Sequence, residues 1–176
     1  MNLDKVIACF KELGFTPVVD EFADRLIIQK SVYLLDLKGI KTGFNFNLYM
    51  RGPYSKELTD QIYENKTKVQ NLDCSSNISK SETKFLEEFR EVFGELKPSI
   101  LEVASTYSFF AFEEKQDPIT ALKNVKKMKS FYSEPQIAIG ISKAKEFLFR
   151  PSEKDLADLR QELKPWQEAS AKTIRG

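Results

Sequence analysis

The sequence predicts a mainly α fold: a single-domain helical bundle with one small β element, for which a winged-helix-like arrangement is the alternative. Three observations carry this. Apolar residues recur every three or four positions along most of the chain, the spacing that places them on one side of a helix. A single segment, Phe44 to Met50, switches to a period of two. Ser and Asp residues of the N-cap type stand directly in front of the helix-period runs, two of them in capping-box patterns.

The elements follow in order. Leu3, Val6, Ile7, Phe10 and Leu13 predict a first helix, which Gly14 ends. A second runs from Asp20 or Glu21 through Lys38 and is closed by Gly39. Its Leu26, Ile27, Ile28, Val32, Leu34, Leu35 and Leu37 cover more than one face, so it is expected to be central and the most buried element. In the period-two segment Phe44, Phe46, Leu48 and Met50 point one way, and Asn45, Asn47 and Tyr49 the other. Arg51-Gly52-Pro53 is expected to break this strand, and Ser55 to cap a helix through Glu64. A strand needs a partner for its backbone groups; Lys68 to Leu72 and Pro17-Val18-Val19 are the candidates.

Beyond a polar loop from Cys74 to Lys80, Ser79 and Glu82 form a capping box for a helix with Phe85, Leu86, Phe89, Val92 and Phe93. Pro98 restarts the chain into a helix with a broad apolar face, from Ile100 and Leu101 to Phe110 and Ala111. Asp117-Pro118 is a cap and first-turn pair that opens a helix to about Met128. Ser133 and Gln136 cap another, with Ile137, Ile141, Ala144 and Leu148 on its apolar side. Ser152 starts a last helix on which Leu156, Leu159, Leu163 and Trp166 form one stripe. Residues 1–150 thus read as a mainly helical domain and 151–176 as a C-terminal helical extension.

Composition narrows the function classes. The 176 residues suit one domain with an appendage, and 41% apolar with 30% charged residues allows a core under a solvated surface. Net charge is +1, from 27 basic and 26 acidic residues, so the whole-molecule field does not draw the chain to nucleic acid or membrane. There is no histidine, which removes Ser-His-Asp and Cys-His nucleophile activation and the commonest zinc ligand. Cys9 and Cys74 have no CxxC spacing, and Met1-Asn2-Leu3-Asp4 is too polar for a signal peptide. No apolar run approaches the ~20 residues of a membrane span. A cytoplasmic, non-enzymatic protein with no cofactor, no metal and no membrane partner is the expectation.

Two pieces, LIIQKSVYLLDLKG and NLYMRGPYSKEL, in that order and spacing, resemble the N-terminal half of the YwgA-type protein family. More distantly they are similar to the Panacea (SocA-like) antitoxin domain. The resemblance rests on Ile28, Gln29, Lys30, Val32 and Tyr33, then on Tyr49, Arg51, Gly52, Pro53 and Tyr54. It continues through ILEVASTYSFFAFEE and KSFYSEPQI, covering roughly Met1 to Phe149. Arg51 before the glycine and Pro53-Tyr54-Ser55 after it depart from the Panacea pattern. YwgA-type proteins have no assigned activity; the Panacea resemblance implies a domain that neutralises a toxin by direct binding. The partner implied is another protein, a toxin among the classes, or a second copy of the chain.

Candidate site residues fall into three groups. Tyr33, Tyr49, Arg51 and Tyr54 are of the types enriched in binding hot spots and gather around one turn, which points to a partner-binding site. The competing reading is that the rings plug the strand–helix junction while Arg51 pairs with a carboxylate. Lys123, Lys126, Lys127 and Lys129 concentrate charge where Pro118 to Leu148 can pass for a helix-turn-helix, the basis of a nucleic-acid-binding alternative. Against it, Glu134 at the start of the second helix would repel phosphate, and a solvated face explains the lysines equally. Glu113-x-Lys115 superficially offers a metal-dependent nuclease, the third reading, but that needs a strand and a well-placed upstream acid, where Asp73 sits in a polar loop. Cys9 falls on the apolar side of the first helix and reads as a core residue.

Overall fold

The structure of the chain, a computed structural model, describes residues 1–148 together with Gln161. Among the described residues there are eight α-helices and one two-stranded antiparallel sheet. The mainly α class with one small β element is therefore observed. The Trp166 stripe, and the extension that carries it apart from Gln161, lie outside the described residues.

Helix α1 (Leu3–Leu13) is capped by the Asn2 side chain and ends at Gly14, whose backbone is left-handed at φ 70°. Helix α2 (Phe22–Lys38) follows, closed by Gly39 as expected. After the hairpin β1 (Asn47–Tyr49) and β2 (Gly52–Tyr54) come α3 (Lys56–Glu64) and the short α4 (Lys66–Gln70). The capping box of Ser79 and Glu82 is formed in full and opens α5 (Lys80–Phe93). Helix α6 (Pro98–Ser108) runs on into a π-helical turn at Phe109–Glu113. Asp117 caps α7 (Pro118–Met128) through the amides of Ile119 and Thr120. Ser133 and Gln136 bond reciprocally at the start of α8 (Glu134–Leu148).

Helix α2 is buried without interruption from Leu26 to Leu35, yet it is not the most buried element: α6 is buried at every position from Ile100 to Ser108. The reason is the small polar residues of α6. Ser105 and Thr106 donate their hydroxyls to Glu102 O, and Ser108 donates to Ala104 O, so these side chains go into the core with their hydrogen bonds already made. Their size lets α2 and α8 close on both sides. A Cβ on Gly140 of α8 would stand 2.6 Å from Val103, which shows how near the two backbones come. Apolar side chains of α2, α5, α6, α7 and α8 make the larger core, and a smaller one joins α1, α2, α3 and α4 around Phe10, Ile28 and Leu58.

The strand reading is corrected in two respects. Of the expected Phe44 to Met50 segment only Asn47–Tyr49 is a strand, and Met50 is largely in solvent rather than on the inward side. Its partner is Gly52–Tyr54, the segment expected to break it; Lys68 to Leu72 falls mostly in α4 and Pro17 to Val19 forms no ladder. Leu48 pairs with Pro53 and Tyr49 with Gly52, so the chain reverses through Met50 and Arg51 alone. Gly52 makes this fit possible. Its φ is +85°, and a Cβ there would meet Thr106 Oγ1 at 2.4 Å, so the hairpin lies directly on α6.

Candidate functional site

The hairpin is tied down by buried charge. Glu102, in the middle of apolar α6, has no solvent exposure and receives three donors. Lys129 Nζ lies 2.8 Å from its Oε1; Arg51 Nη1 at 3.4 Å and the Tyr132 hydroxyl at 3.2 Å reach Oε2. Lys129, itself wholly buried, also donates to Met50 O at 2.8 Å. From α2, Lys30 Nζ donates to Pro53 O at 2.5 Å. Gln29 beside it brackets the start of α3: its amide donates to Ser55 O and Thr59 Oγ1, and the Ser55 amide donates back to its Oε1. Gln29-Lys30 and Gly52-Pro53-Tyr54-Ser55 are therefore one structural unit, each half satisfying buried groups of the other.

These interactions set the protonation behaviour. Burial lowers the Lys30 pKa to about 7; Glu102 pulls it back up, while Lys129 and Arg51 press it down. Burial also lowers that of Lys129, against the pull of Glu102. The Tyr132 phenol is pushed up to about 12, by burial first and then by Glu102.

Above this anchored layer lies an aromatic recess of about 420 Å³. One stripe of α2 supplies Phe22, Arg25 and Leu26 to its wall, α3 supplies Thr59 and Tyr63, and the hairpin supplies Tyr49, Arg51 and Tyr54. Tyr49 and Tyr54 pack edge to face, with ring centres 5.5 Å apart, as diagonal neighbours across the strands. The Arg51 guanidinium lies 5.1 Å from the Phe131 ring and 5.9 Å from Phe22; Arg25 lies 5.9 Å from both Phe22 and Tyr63. Tyr49 keeps 54% of its surface in solvent, and Phe22, Met50, Tyr63 and Phe131 are likewise exposed.

Of the partner-binding group, the structure brings Tyr49, Arg51 and Tyr54 together at this recess. Tyr33 is elsewhere: it is buried between Phe46 and Phe109, its hydroxyl finds no hydrogen-bond partner among the described residues, and burial with the nearby Glu113 raises its pKa. Arg51 pairs with Glu102, as the competing reading expects, while half its side chain faces solvent.

The lysine group does not act as a unit. Lys123 and Lys127 are exposed, and Lys126 pairs with Glu134 at 2.7 Å. Lys129 is corrected outright: it is enclosed against Glu102 and cannot meet a phosphate. Glu113 sits on the π-helical turn and Lys115 has a left-handed backbone at φ 52°, so the Glu-x-Lys stretch is not on a strand. Cys9 is a core residue, its thiol pushed up to about 12 by burial, and both cysteines are free. Among the described residues no group of three or more His, Cys, Asp or Glu could hold a metal ion, and no helix is long and apolar enough to cross a membrane.

Glu102, Phe22, Arg25, Tyr63 and Phe131 are not singled out by sequence, and Lys30 only as one of the residues that carry the resemblance. For Glu102 and Lys30 a signal existed, a lone charge inside an apolar helical run. Phe22, Arg25 and Tyr63 gave none, because only the fold puts α2 and α3 on either side of the hairpin. Comparisons with family models, with curated proteins and with solved structures found no match to this chain.

Proposed function

We propose that this chain is a non-enzymatic protein-interaction module, antitoxin-like or regulatory, that holds a partner protein at the face formed by Tyr49, Arg51 and Tyr54. The observation that carries the reading is the combination of exposed Phe22, Tyr49, Met50, Tyr63 and Phe131 on one side of a hairpin that is itself pinned by buried ionic groups. Exposed aromatic rings and arginine supply binding energy, and a rigid support means that little order is lost when a partner docks. An aromatic patch of this kind left in water is a cost to a free protein, which a partner relieves. The resemblance to YwgA-type and Panacea sequences runs through these same segments, but Arg51 and Pro53-Tyr54-Ser55 are where the chain departs from the Panacea pattern, so the direct-binding reading rests on the exposed aromatic face.

The test is photo-crosslinking in the native cell, with benzoylphenylalanine placed at Tyr49 or Tyr54 and, as control, at Lys123. The reading expects a discrete protein adduct from the hairpin positions that is missing at Lys123. Adducts of equal yield from all three, or from none, contradict it.

A further inference from the structure

The charged groups that reach the aromatic recess all carry the same sign. Arg25 and Lys30 come from α2 and Arg51 from the hairpin tip, and among the described residues neither Asp nor Glu lines it. The carboxylate nearby, Glu102, is buried and already engaged by Lys129, Arg51 and Tyr132. Among the described residues, Lys30, Lys129 and Arg51 thus share one anion. Enclosing a cation without a counter-charge is strongly unfavourable, so Lys30 gives up its proton near pH 7 in the free chain, and an anion arriving from the recess side would restore it.

Lys30 is where the deficit is sharpest. The residue is 2% exposed, and of the three donors that its protonated form carries, one reaches an acceptor among the described residues, Pro53 O. Arg51 uses Nη1 on Glu102 and packs its guanidinium between the Phe22 and Phe131 rings, with half its side chain in solvent. The surroundings indicate the rest of the occupant. Four rings, of Phe22, Tyr49, Tyr54 and Tyr63, wall the recess, and Phe131 extends the aromatic surface past its edge beside Arg51. An apolar surface that continues beyond the recess fits an extended chain rather than an enclosed small molecule.

We propose that the recess binds an acidic segment of a partner protein that carries a carboxylate beside an aromatic or aliphatic side chain. The carboxylate takes the free donors of Lys30 and Arg51, and the apolar side chain lies among Phe22, Tyr49 and Tyr54. This rests on the interaction reading above and adds the chemistry of the partner.

The experiment is an NMR titration of the full chain with the acetylated, amidated peptide Glu-Phe-Asp-Leu, with its Gln-Phe-Asn-Leu counterpart, and with 3-phenylpropionate. Ring signals of Tyr49 and Tyr54 and the ε-methylene of Lys30 report binding. The acidic peptide is expected to saturate these signals and to bind about tenfold or more tighter than either other probe. Arg51→Gln, at a half-exposed position, and Lys30→Met are each expected to weaken it by about fivefold or more. Equal binding of the two peptides, binding of 3-phenylpropionate as tight as the acidic peptide, or silence up to a few millimolar overturns the proposal. Silence with a protein adduct still formed at Tyr49 removes the acidic-segment assignment alone; silence without an adduct removes the interaction reading as well.

Discussion

Replacing Lys30 by Met separates the two consequences of burying an amine in the floor of the site. The folded chain holds this amine at about 7 against an ordinary 10.5, because burial and the positive Lys129 and Arg51 outweigh Glu102. Between those two values the unfolded chain keeps a proton that the folded chain has released. Folded-state stability from this group therefore rises with pH across that window and is flat below it. The whole window corresponds to about 4–5 kcal/mol, and the part between pH 7 and 9 to about 2 kcal/mol. Lys30→Met abolishes this dependence. It also leaves Pro53 O without its donor, at a cost of about 1–3 kcal/mol that does not vary with pH. The variant should therefore compare best with wild type at or below pH 7 and lose about 2 kcal/mol relative to it by pH 9. Paired urea melts at pH 6, 7, 8 and 9 measure the difference directly. A difference that stays constant over that range would refute the placement of Lys30 as a buried amine that sheds its proton.

Glu102→Gln strands Lys129 without its counter-charge, with an expected loss of about 3–5 kcal/mol; adding Lys129→Met should recover much of it in denaturant melts, and a double variant no more stable than the single one would contradict the pairing. Gly52→Ala forces a side chain into a left-handed backbone and onto Thr106, so it should cost about 1–3 kcal/mol and disturb the Tyr49–Tyr54 ring contact seen by NMR. Leu34→Ala, at a position with no exposure, should cost about 2–5 kcal/mol; a loss well under 1 kcal/mol would show that α2 is peripheral.

Helix ends were legible because caps are local chemistry. Ser79 with Glu82, Asp117 before Pro118, and Ser133 with Gln136 all make the hydrogen bonds their spacing announces. The hairpin was not, because proline is rarely found in a ladder and Met50-Arg51 lacks the Asn-Gly signature of a two-residue turn. What makes the turn close is Gly52 against Thr106, a contact between distant segments. Likewise α6 was under-rated because Ser105, Thr106 and Ser108 look polar in sequence but satisfy themselves on their own helix. Tyr49, Arg51 and Tyr54 could be grouped from their proximity along the chain. Lys129 could not be told from Lys126 and Lys127, since burial against Glu102 depends on how α6 meets the turn after α7.

The claim that binding energy sits at the hairpin face is tested most directly by calorimetric titration of the chain with the protein crosslinked at Tyr49. Tyr49→Ala and Tyr54→Ala should each weaken association by about tenfold or more, while Lys123→Ala changes it by less than about twofold. Affinity that survives both tyrosine substitutions and falls with Lys123→Ala would contradict the account.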